Sequence, residues 1–115
     1  MSAYKRISVE QADELLQAQL HLLLLDIREM RDFIADHHPR ALHLDNDALR
    51  SILKSRDKDT HIVVVCYHGN ASKDIAQLFG DFGFRHSYSV DGGFEAWRNF
   101  MEMRNSVWSL MPATS

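Results

Sequence analysis

Two short, unbroken apolar runs constrain the fold of this chain more than any other feature of its sequence. Four leucines occupy residues 22–25, and Ile-Val-Val-Val occupies residues 62–65. Both runs have the length of strands, and neither alternates with polar residues as a half-exposed strand does. Unbroken apolar strands of this kind are typical of parallel sheets that are covered on both faces.

The segments around these runs carry helical repeats and the residues that begin and end helices. Ser8 and Gln11 form a capping-box pattern, and Gly83 is suited to a helix C-terminus. Further strands are predicted at residues 41–44 and 86–90, and a turn at residues 91–93. Helices are predicted after Ser8, over residues 29–35, from a cap at Asn46 or Asp47 through Leu53, over residues 75–82, and after the turn.

Strands that alternate with helices predict an α/β fold. We expect a single domain over residues 1–104, built on a roughly five-stranded parallel sheet with helices on both faces, and a C-terminal tail at residues 105–115. A chain of 115 residues has the length of one such domain.

Composition excludes several classes of protein. Hydrophobic residues make up 45% of the chain and charged residues 25%, as in ordinary soluble proteins. The net charge is −3 with the signs interspersed, which argues against a nucleic-acid-binding surface. No apolar run approaches the roughly 20 residues that span a membrane, and no secretory signal follows residues 1–6. We therefore expect a cytoplasmic protein that binds neither nucleic acid nor membrane.

Cys66 is the single cysteine of the chain, and it directly follows the run at residues 62–65. Ligands of parallel sheets bind at the carboxyl ends of the strands, which is where this thiol is predicted to lie. A thiol that faces backbone N–H groups and the start of a helix is stabilised as the nucleophilic thiolate. The alternative is a small buried hydrophobic residue.

The residues around Cys66 favour an anion. Residues 61–73 contain no Asp or Glu, but they include His68 and Lys73. Gly69 permits a positive φ, which lets successive N–H groups turn inward. Such a cradle would hold a thiolate, a persulfide, thiosulfate or a phosphate, so the residues alone predict an anion-binding nucleophile without naming its substrate.

Four motifs, spread over about residues 5–100, resemble those of single-domain rhodaneses. Residues 66–73 (Cys-Tyr-His-Gly-Asn-Ala-Ser-Lys) are similar to the active loop of that family. Flanking matches lie at residues 25–28 (Leu-Asp-Ile-Arg), 33–41 and 91–97 (Asp-Gly-Gly-Phe-Glu-Ala-Trp). The chain departs from the family pattern at Asp36, where glycine is usual. Two-domain rhodaneses also place basic residues directly after the cysteine, where this chain has Tyr67 and His68.

The resemblance implies a rhodanese-like fold and sulfur transfer without a metal or an organic cofactor. The Cys66 thiolate would attack the outer sulfur of thiosulfate, sulfite would leave, and a persulfide would remain. Cyanide, or a dithiol such as reduced thioredoxin, would then accept the sulfur. Asp26 and Arg28 would either support the loop or form a structural ion pair. The implied substrate- and persulfide-binding residues are Tyr67, His68, Gly69, Asn70, Ala71, Ser72 and Lys73, with charge from Lys73 or from the backbone alone.

Other functions remain open. A dual-specificity phosphatase or an arsenate reductase of the same fold uses a Cys-x5-Arg loop, whose arginine clamps the oxyanion. Ser72 occupies that position here, which argues against both. A regulatory module would only bind a partner, and many such rhodanese modules lack the cysteine. A persulfide carrier loaded by another protein would keep the same loop. Adjacent histidines, such as His37 and His38, point in different directions, so no metal site is predicted.

Overall fold

The computed structural model describes residues 3–110, and for residues 107–110 it describes the helical backbone alone. Five strands alternate with five helices along this part of the chain. The elements are β1 (Lys5–Ile7), α1 (Val9–Ala18), β2 (Leu22–Asp26), α2 (Met30–Ala35), β3 (Ala41–His43), α3 (Asn46–Ser55), β4 (His61–Val65), α4 (Ala71–Asp81), β5 (His86–Val90) and α5 (Gly93–Leu110). The predicted α/β class is therefore confirmed.

The strands form one sheet in the order β1-β5-β4-β2-β3, and every neighbouring pair is parallel. The two apolar runs lie side by side in its centre, because β2 pairs with β4 along their whole length, from Leu22 beside His61 to Asp26 beside Val65. All carboxyl ends consequently meet at one edge. Cys66 follows β4 at that edge.

Helices cover both faces of the sheet, as the unbroken apolar runs predict. Along residues 62–65 of β4 the side chains alternate between two cores, and all four side chains are buried. Val63 and Val65 pack with residues of α1 and α5, whereas Ile62 and Val64 pack with residues of α3 and α4. Trp97, on the last helix, is fully buried in the first core.

The helix termini agree with the sequence at most positions. Ser8 and Gln11 make both bonds of the predicted capping box at the start of α1. Gly83 has φ +95° and directly follows Phe82, the C-terminal cap of α4, so its predicted place at that terminus is confirmed. The predicted cap of α3 is wrong by one residue, because the side chain of Asp45 accepts the N–H of Ala48.

Two features at the ends of the domain were not visible in the sequence. Strand β1 has only three residues, and its first two are exposed, so it carries no apolar run. Helix α5 continues through Leu110, and the boundary predicted at residue 104 therefore falls within it. Residues 111–115 of the predicted tail lie outside the described residues.

Within residues 3–110, none of the helices combines the length and the apolar character that crossing a membrane requires.

Candidate active site

Cys66 lies where β4 ends, and its loop leads directly into α4. The residue is 3% exposed. The loop spans the gap to Ala71, the first residue of α4, and it turns through Gly69 at φ +94°. A side chain at Gly69 would place its Cβ 2.9 Å from the backbone nitrogen of Gly92. Glycine is thus required here both by the backbone conformation and by space.

The loop backbone turns inward on the thiol. The N–H of Gly69 donates to Cys66 Sγ at 3.1 Å, and the N–H of Ser72 donates to it at 3.3 Å. Ser72 Oγ lies 3.3 Å from the same sulfur. These three contacts form the cradle predicted for an anionic sulfur.

A second buried hydroxyl lies behind the first. Ser89 Oγ, on β5, is 2.7 Å from Ser72 Oγ, and neither serine is exposed to solvent. A thiolate has no proton to donate, so Ser72 must use its single hydroxyl proton to bond the sulfur. Ser89 can then donate to Ser72, which fixes the direction of the chain of bonds.

These contacts shift the ionisation of the thiol. Burial raises the pKa of Cys66, but hydrogen bonds from the Ser72 hydroxyl and from the N–H groups of Ser72, Gly69 and His68 outweigh burial. The pKa is therefore lower than that of an ordinary cysteine. A lowered pKa increases the thiolate fraction at neutral pH, which is the condition for nucleophilic attack.

The first turn of α5 holds the loop from the other side. The N–H of Phe94 donates to the carbonyl oxygen of Cys66 at 2.7 Å, and the N–H of Glu95 donates to that of Tyr67 at 3.4 Å. Gly93 allows this approach, since a Cβ there would lie 2.5 Å from both carbonyl oxygens. Gly93 at the start of α5 therefore allows this helix to hold the loop that follows Cys66.

Asp26 and Arg28, predicted as supporting residues, form a buried ion pair after β2. Arg28 Nη2 lies 2.8 Å from Asp26 Oδ2, and its Nε also bonds the carboxylate. The guanidinium lies over the ring of Phe94, 3.9 Å from its centroid, and donates to the carbonyl oxygen of Asp36. The pair thus connects β2, α2 and α5 without contacting the sulfur itself.

Tyr67 and His68 are exposed, and their side chains bond neighbouring helices. The hydroxyl of Tyr67 donates to the carboxylate of Asp32 and accepts the N–H of Glu29, so it links the loop to α2. His68 Nδ1 lies 2.9 Å from Glu95 Oε2 on α5. Both predicted residues are therefore held in place by neighbours that the sequence did not reveal.

A cavity of about 180 Å³ opens onto the sulfur. Cys66, Tyr67, His68, Asn70 and Ala71 line it. Lys73, in contrast, is half-buried in the first turn of α4 and does not belong to this lining. The structure thus brings together all predicted loop residues except Lys73, with Gly69 and Ser72 bonding the sulfur from behind.

The adjacent histidines His37 and His38 do not converge. His37 stacks on Phe33 at a centroid distance of 3.9 Å, whereas His38 packs against Trp97. They contact different side chains, as their adjacency predicts. Within the described residues, no three His, Cys, Asp or Glu side chains are grouped so that they could hold a metal ion.

Sequence analysis missed Ser89, Glu95 and Asp32. Ser89 had a signal, because Ser87 and Ser89 alternate with His86, Tyr88 and Val90 along a strand candidate. A period of two places both serines on one face. Glu95 and Asp32 had none, since their partners are 27 and 35 residues away, at His68 and Tyr67.

Comparison with known proteins agrees with this geometry. Residues 8–100 match the family model described as "Rhodanese-like domain". The chain is 43% identical to a protein named thiosulfate sulfurtransferase GlpE from Tolumonas auensis, over 86% of this chain and 92% of that protein. It is also 43% identical to a protein of the same name from Pseudomonas syringae, over 85% and 91% of the two chains.

Solved structures share the fold at lower identity. A rhodanese-related protein from Thermoplasma volcanium superimposes with a TM-score of 0.69 at 24% identity, covering 84% of this chain and 93% of that one. A rhodanese-like domain protein from Staphylococcus aureus gives a TM-score of 0.69 at 22% identity, covering 81% and 90%. From the match over most of its length, the chain belongs to the rhodanese-like domain family.

Proposed function

We propose that this protein is a thiosulfate sulfurtransferase whose catalytic residue is Cys66. The observation that carries the proposal is the cradle, in which two N–H groups and one hydroxyl converge on a sulfur at the base of an open cavity. The name thiosulfate sulfurtransferase, borne by relatives that are 43% identical over most of the chain, supports the choice of donor.

In the first half-reaction the Cys66 thiolate attacks the outer sulfur of thiosulfate. The bond between the two sulfur atoms of thiosulfate breaks, and its electron pair leaves with sulfite. Cys66 keeps the transferred sulfur as a persulfide, Sγ–S⁻. In the second half-reaction an acceptor nucleophile attacks the outer sulfur, and the electron pair of the Sγ–S bond returns to Cys66 as the thiolate.

The persulfide, like the thiolate, carries a negative charge that the loop must stabilise. In the persulfide this charge lies one sulfur atom further out. The inward N–H groups of Gly69 and Ser72 and the start of α4 favour negative charge in this region. Thiosulfate would enter between Tyr67, His68, Asn70 and Ala71. No Lys or Arg is among the residues that line this cavity, so the loop backbone supplies most of the attraction for the anion.

The position of Ser72 separates this function from phosphoryl or arsenate chemistry. A Cys-x5-Arg enzyme needs an arginine there to clamp the oxyanion. Ser72 is fully buried and its hydroxyl is directed at the sulfur and at Ser89. It therefore stabilises sulfur rather than a bound oxyanion. A persulfide carrier loaded by another protein would share the cradle, and it differs only in the donor.

We propose cyanide and a dithiol such as reduced thioredoxin as the acceptors. We also propose that the protein acts in the cytoplasm. Both acceptors are thiophilic nucleophiles that can approach the outer sulfur from the open side of the cavity. The single thiol suits a reducing compartment, since it has no partner in the chain for a disulfide.

The test is to incubate the protein with thiosulfate and to measure its mass by intact-protein mass spectrometry. We expect a gain of about 32 Da, one sulfur atom, that disappears after addition of cyanide with formation of thiocyanate. Cys66→Ser should show no gain under the same conditions. Because the substitution is nearly isosteric, circular dichroism of this variant should match that of the wild-type protein.

Two outcomes would contradict the proposal. A wild-type protein that gains no mass with thiosulfate, yet gains it from a persulfidated protein donor, would be a carrier. Cys66-dependent hydrolysis of an aryl phosphate would indicate a phosphatase.

A further inference from the structure

A second cavity, of about 310 Å³, adjoins the one that opens onto Cys66. The two cavities share Tyr67 and His68 in their linings. Helix α2 contributes Asp36 to the larger cavity, and helix α5 contributes Arg98. Its volume is at the lower end of the range for small-molecule sites in proteins. A ligand in this cavity would therefore lie beside the cavity that opens onto the sulfur.

Three of the charged residues that line this cavity are already engaged. Arg28 is bound by the buried carboxylate of Asp26. Asp32 accepts the hydroxyl proton of Tyr67, and Glu95 lies beside the imidazole of His68. These groups are held in place by the loop and its supports, and their charges are partly satisfied.

Asp36 and Arg98 are the two lining charges that remain. Both are exposed. The backbone of Asp36 caps α2 and accepts a bond from Arg28, but within residues 3–106 its carboxylate has no hydrogen bond or ion pair, and neither has the guanidinium of Arg98. One free anion and one free cation therefore face the same cavity. Asp36 is also the position at which the sequence departs from the motif that it resembles.

We propose that this cavity binds the sulfur acceptor, and that the acceptor is a small thiol carrying an amino-acid zwitterion. Its ammonium group would pair with Asp36 and its carboxylate with Arg98, and its thiol would be directed past Tyr67 and His68 to Cys66. The proposal deepens the proposed function and rests on it, because it needs a persulfide at Cys66.

The charge pattern selects this class of ligand. A ligand with a single charge would leave Asp36 or Arg98 unpaired and beside a charge of the same sign. A neutral thiol would gain from neither. A zwitterion satisfies both, and a ligand with the size of one or two amino acids suits a cavity of about 310 Å³.

The transfer step needs no oxidant or reductant. The acceptor thiol, R–SH, gives its proton to the outer sulfur of the anionic persulfide, Cys66–S–S⁻, and the resulting thiolate attacks that sulfur. The new S–S bond forms as the old one breaks, and its electron pair returns to Cys66 Sγ. The products are the Cys66 thiolate and a small-molecule persulfide, R–S–SH, so the sulfane sulfur and its proton move together.

The experiment uses four thiols that carry different charges. The protein is loaded with thiosulfate, desalted and mixed with L-cysteine, cysteamine, 3-mercaptopropionate or 2-mercaptoethanol, which carry both charges, the ammonium only, the carboxylate only and neither. Loss of the persulfide mass is followed with time. Each thiol is compared between variant and wild type, so that its own nucleophilicity cancels.

Arg98→Gln should slow only the two thiols with a carboxylate, and Asp36→Asn only the two with an ammonium. The expected slowing is about threefold to fivefold for each charge removed, as for a solvent-facing ion pair. Arg56→Gln is the matched control. This exposed arginine lines a different cavity, with His21 and Thr60 at the amino ends of β2 and β4. It should slow none of the four thiols.

Discharge by cyanide tests whether the loop itself is intact, and it should be unchanged in all three variants. The inference is overturned if Asp36→Asn and Arg98→Gln slow discharge by all four thiols equally, or by none of them. Discharge by reduced thioredoxin is measured in the same way. The inference is also overturned if Asp36→Asn and Arg98→Gln slow discharge by thioredoxin but by none of the four small thiols, which would make the cavity a protein-docking surface. If thiosulfate does not load Cys66, inorganic polysulfide is used to make the persulfide. Failure of the proposed donor and failure of the acceptor site then give different results.

Discussion

Ser89 Oγ is 2.7 Å from Ser72 Oγ, which in turn lies 3.3 Å from the sulfur of Cys66. Neither serine is exposed to solvent. The hydroxyl of Ser89 therefore acts on Cys66 only through Ser72: it orients the Ser72 proton toward the sulfur when the cysteine is ionised. Ser89 is a positioning residue and does not touch the sulfur.

Ser89→Ala should raise the pKa of Cys66, because Ser72 then loses the donor that fixes its proton on the thiolate. We expect a rise of about half a unit to one unit, the size of one hydrogen bond to a charged network. The measurement is the rate of Cys66 alkylation by iodoacetamide as a function of pH. At neutral pH the variant should react more slowly, and above the pKa it should react at the wild-type rate.

Ser87→Ala is the control for this prediction. Ser87 lies two residues earlier on β5, is also buried, and its hydroxyl donates to the carbonyl oxygen of Ala76 at 2.7 Å. Loss of this hydroxyl should lower stability but leave the pKa of Cys66 unchanged. Equal shifts in the two variants would indicate general loosening between β5 and α4, and would refute the hydroxyl relay.

The central sheet was predictable because its determinants are local. Residues 23–25 and 62–65 are buried on both faces of the sheet, and a hydrophobic run of strand length is enough to reveal such a strand. The loop after Cys66 was predictable for a similar reason. Its glycine, its lack of acidic residues and the helix that follows are all adjacent in sequence, and together they define the cradle.

The missed features depend on tertiary contacts. Strand β1 has one buried residue, Ile7, and exists because it pairs with β5 at the edge of the sheet. Glu95 and Asp32 hold the active loop from helices that are distant in sequence. No periodicity reports such pairs, since the residues at both ends look like ordinary exposed charges.

Gly93→Ala should impair sulfur transfer more than it impairs folding. A Cβ at Gly93 would lie 2.5 Å from the carbonyl oxygens of Cys66 and Tyr67, so the active loop or α5 must shift. Displacements of this kind reduce catalytic rates by roughly tenfold to a hundredfold. The measurement is the rate at which thiosulfate adds one sulfur to the protein.

Gly83→Ala is matched to this change, because Gly83 also has a positive φ but a Cβ there would meet open space. It should cost about 1–2 kcal/mol of unfolding free energy through backbone strain, with sulfur loading at the wild-type rate. If both variants load sulfur equally slowly, strain rather than the contact with Cys66 explains the effect.

Arg28→Ala should destabilise the whole domain. The guanidinium is 6% exposed and is bound bidentately by Asp26, which is fully buried. Its removal leaves a buried carboxylate without its partner, a change that typically costs about 3–5 kcal/mol. Urea unfolding at neutral pH measures this loss. Arg50→Ala, which removes an exposed pair with Asp47, should change stability by less than about 0.5 kcal/mol.

Stability should fall as the pH falls below about 6.5, the ordinary pKa of histidine. Burial lowers the pKa of His38; Asp13 opposes the shift, whereas Arg40, Arg104 and His37 add to it. His38 Nδ1 accepts the N–H of Arg40 and its ring packs on Trp97, so a proton on Nδ1 would break that bond. The unfolded chain therefore binds this proton more readily than the folded one, and acid favours unfolding. Burial lowers the pKa of His61 as well, and it contributes with the same sign.

The free energy of unfolding, measured with urea between about pH 7.5 and 5.5, should decrease less steeply in His38→Gln than in the wild type. His21→Gln, which changes an exposed histidine, is the control for the substitution itself. A slope that is the same in all three proteins would show that His38 does not couple folding to pH.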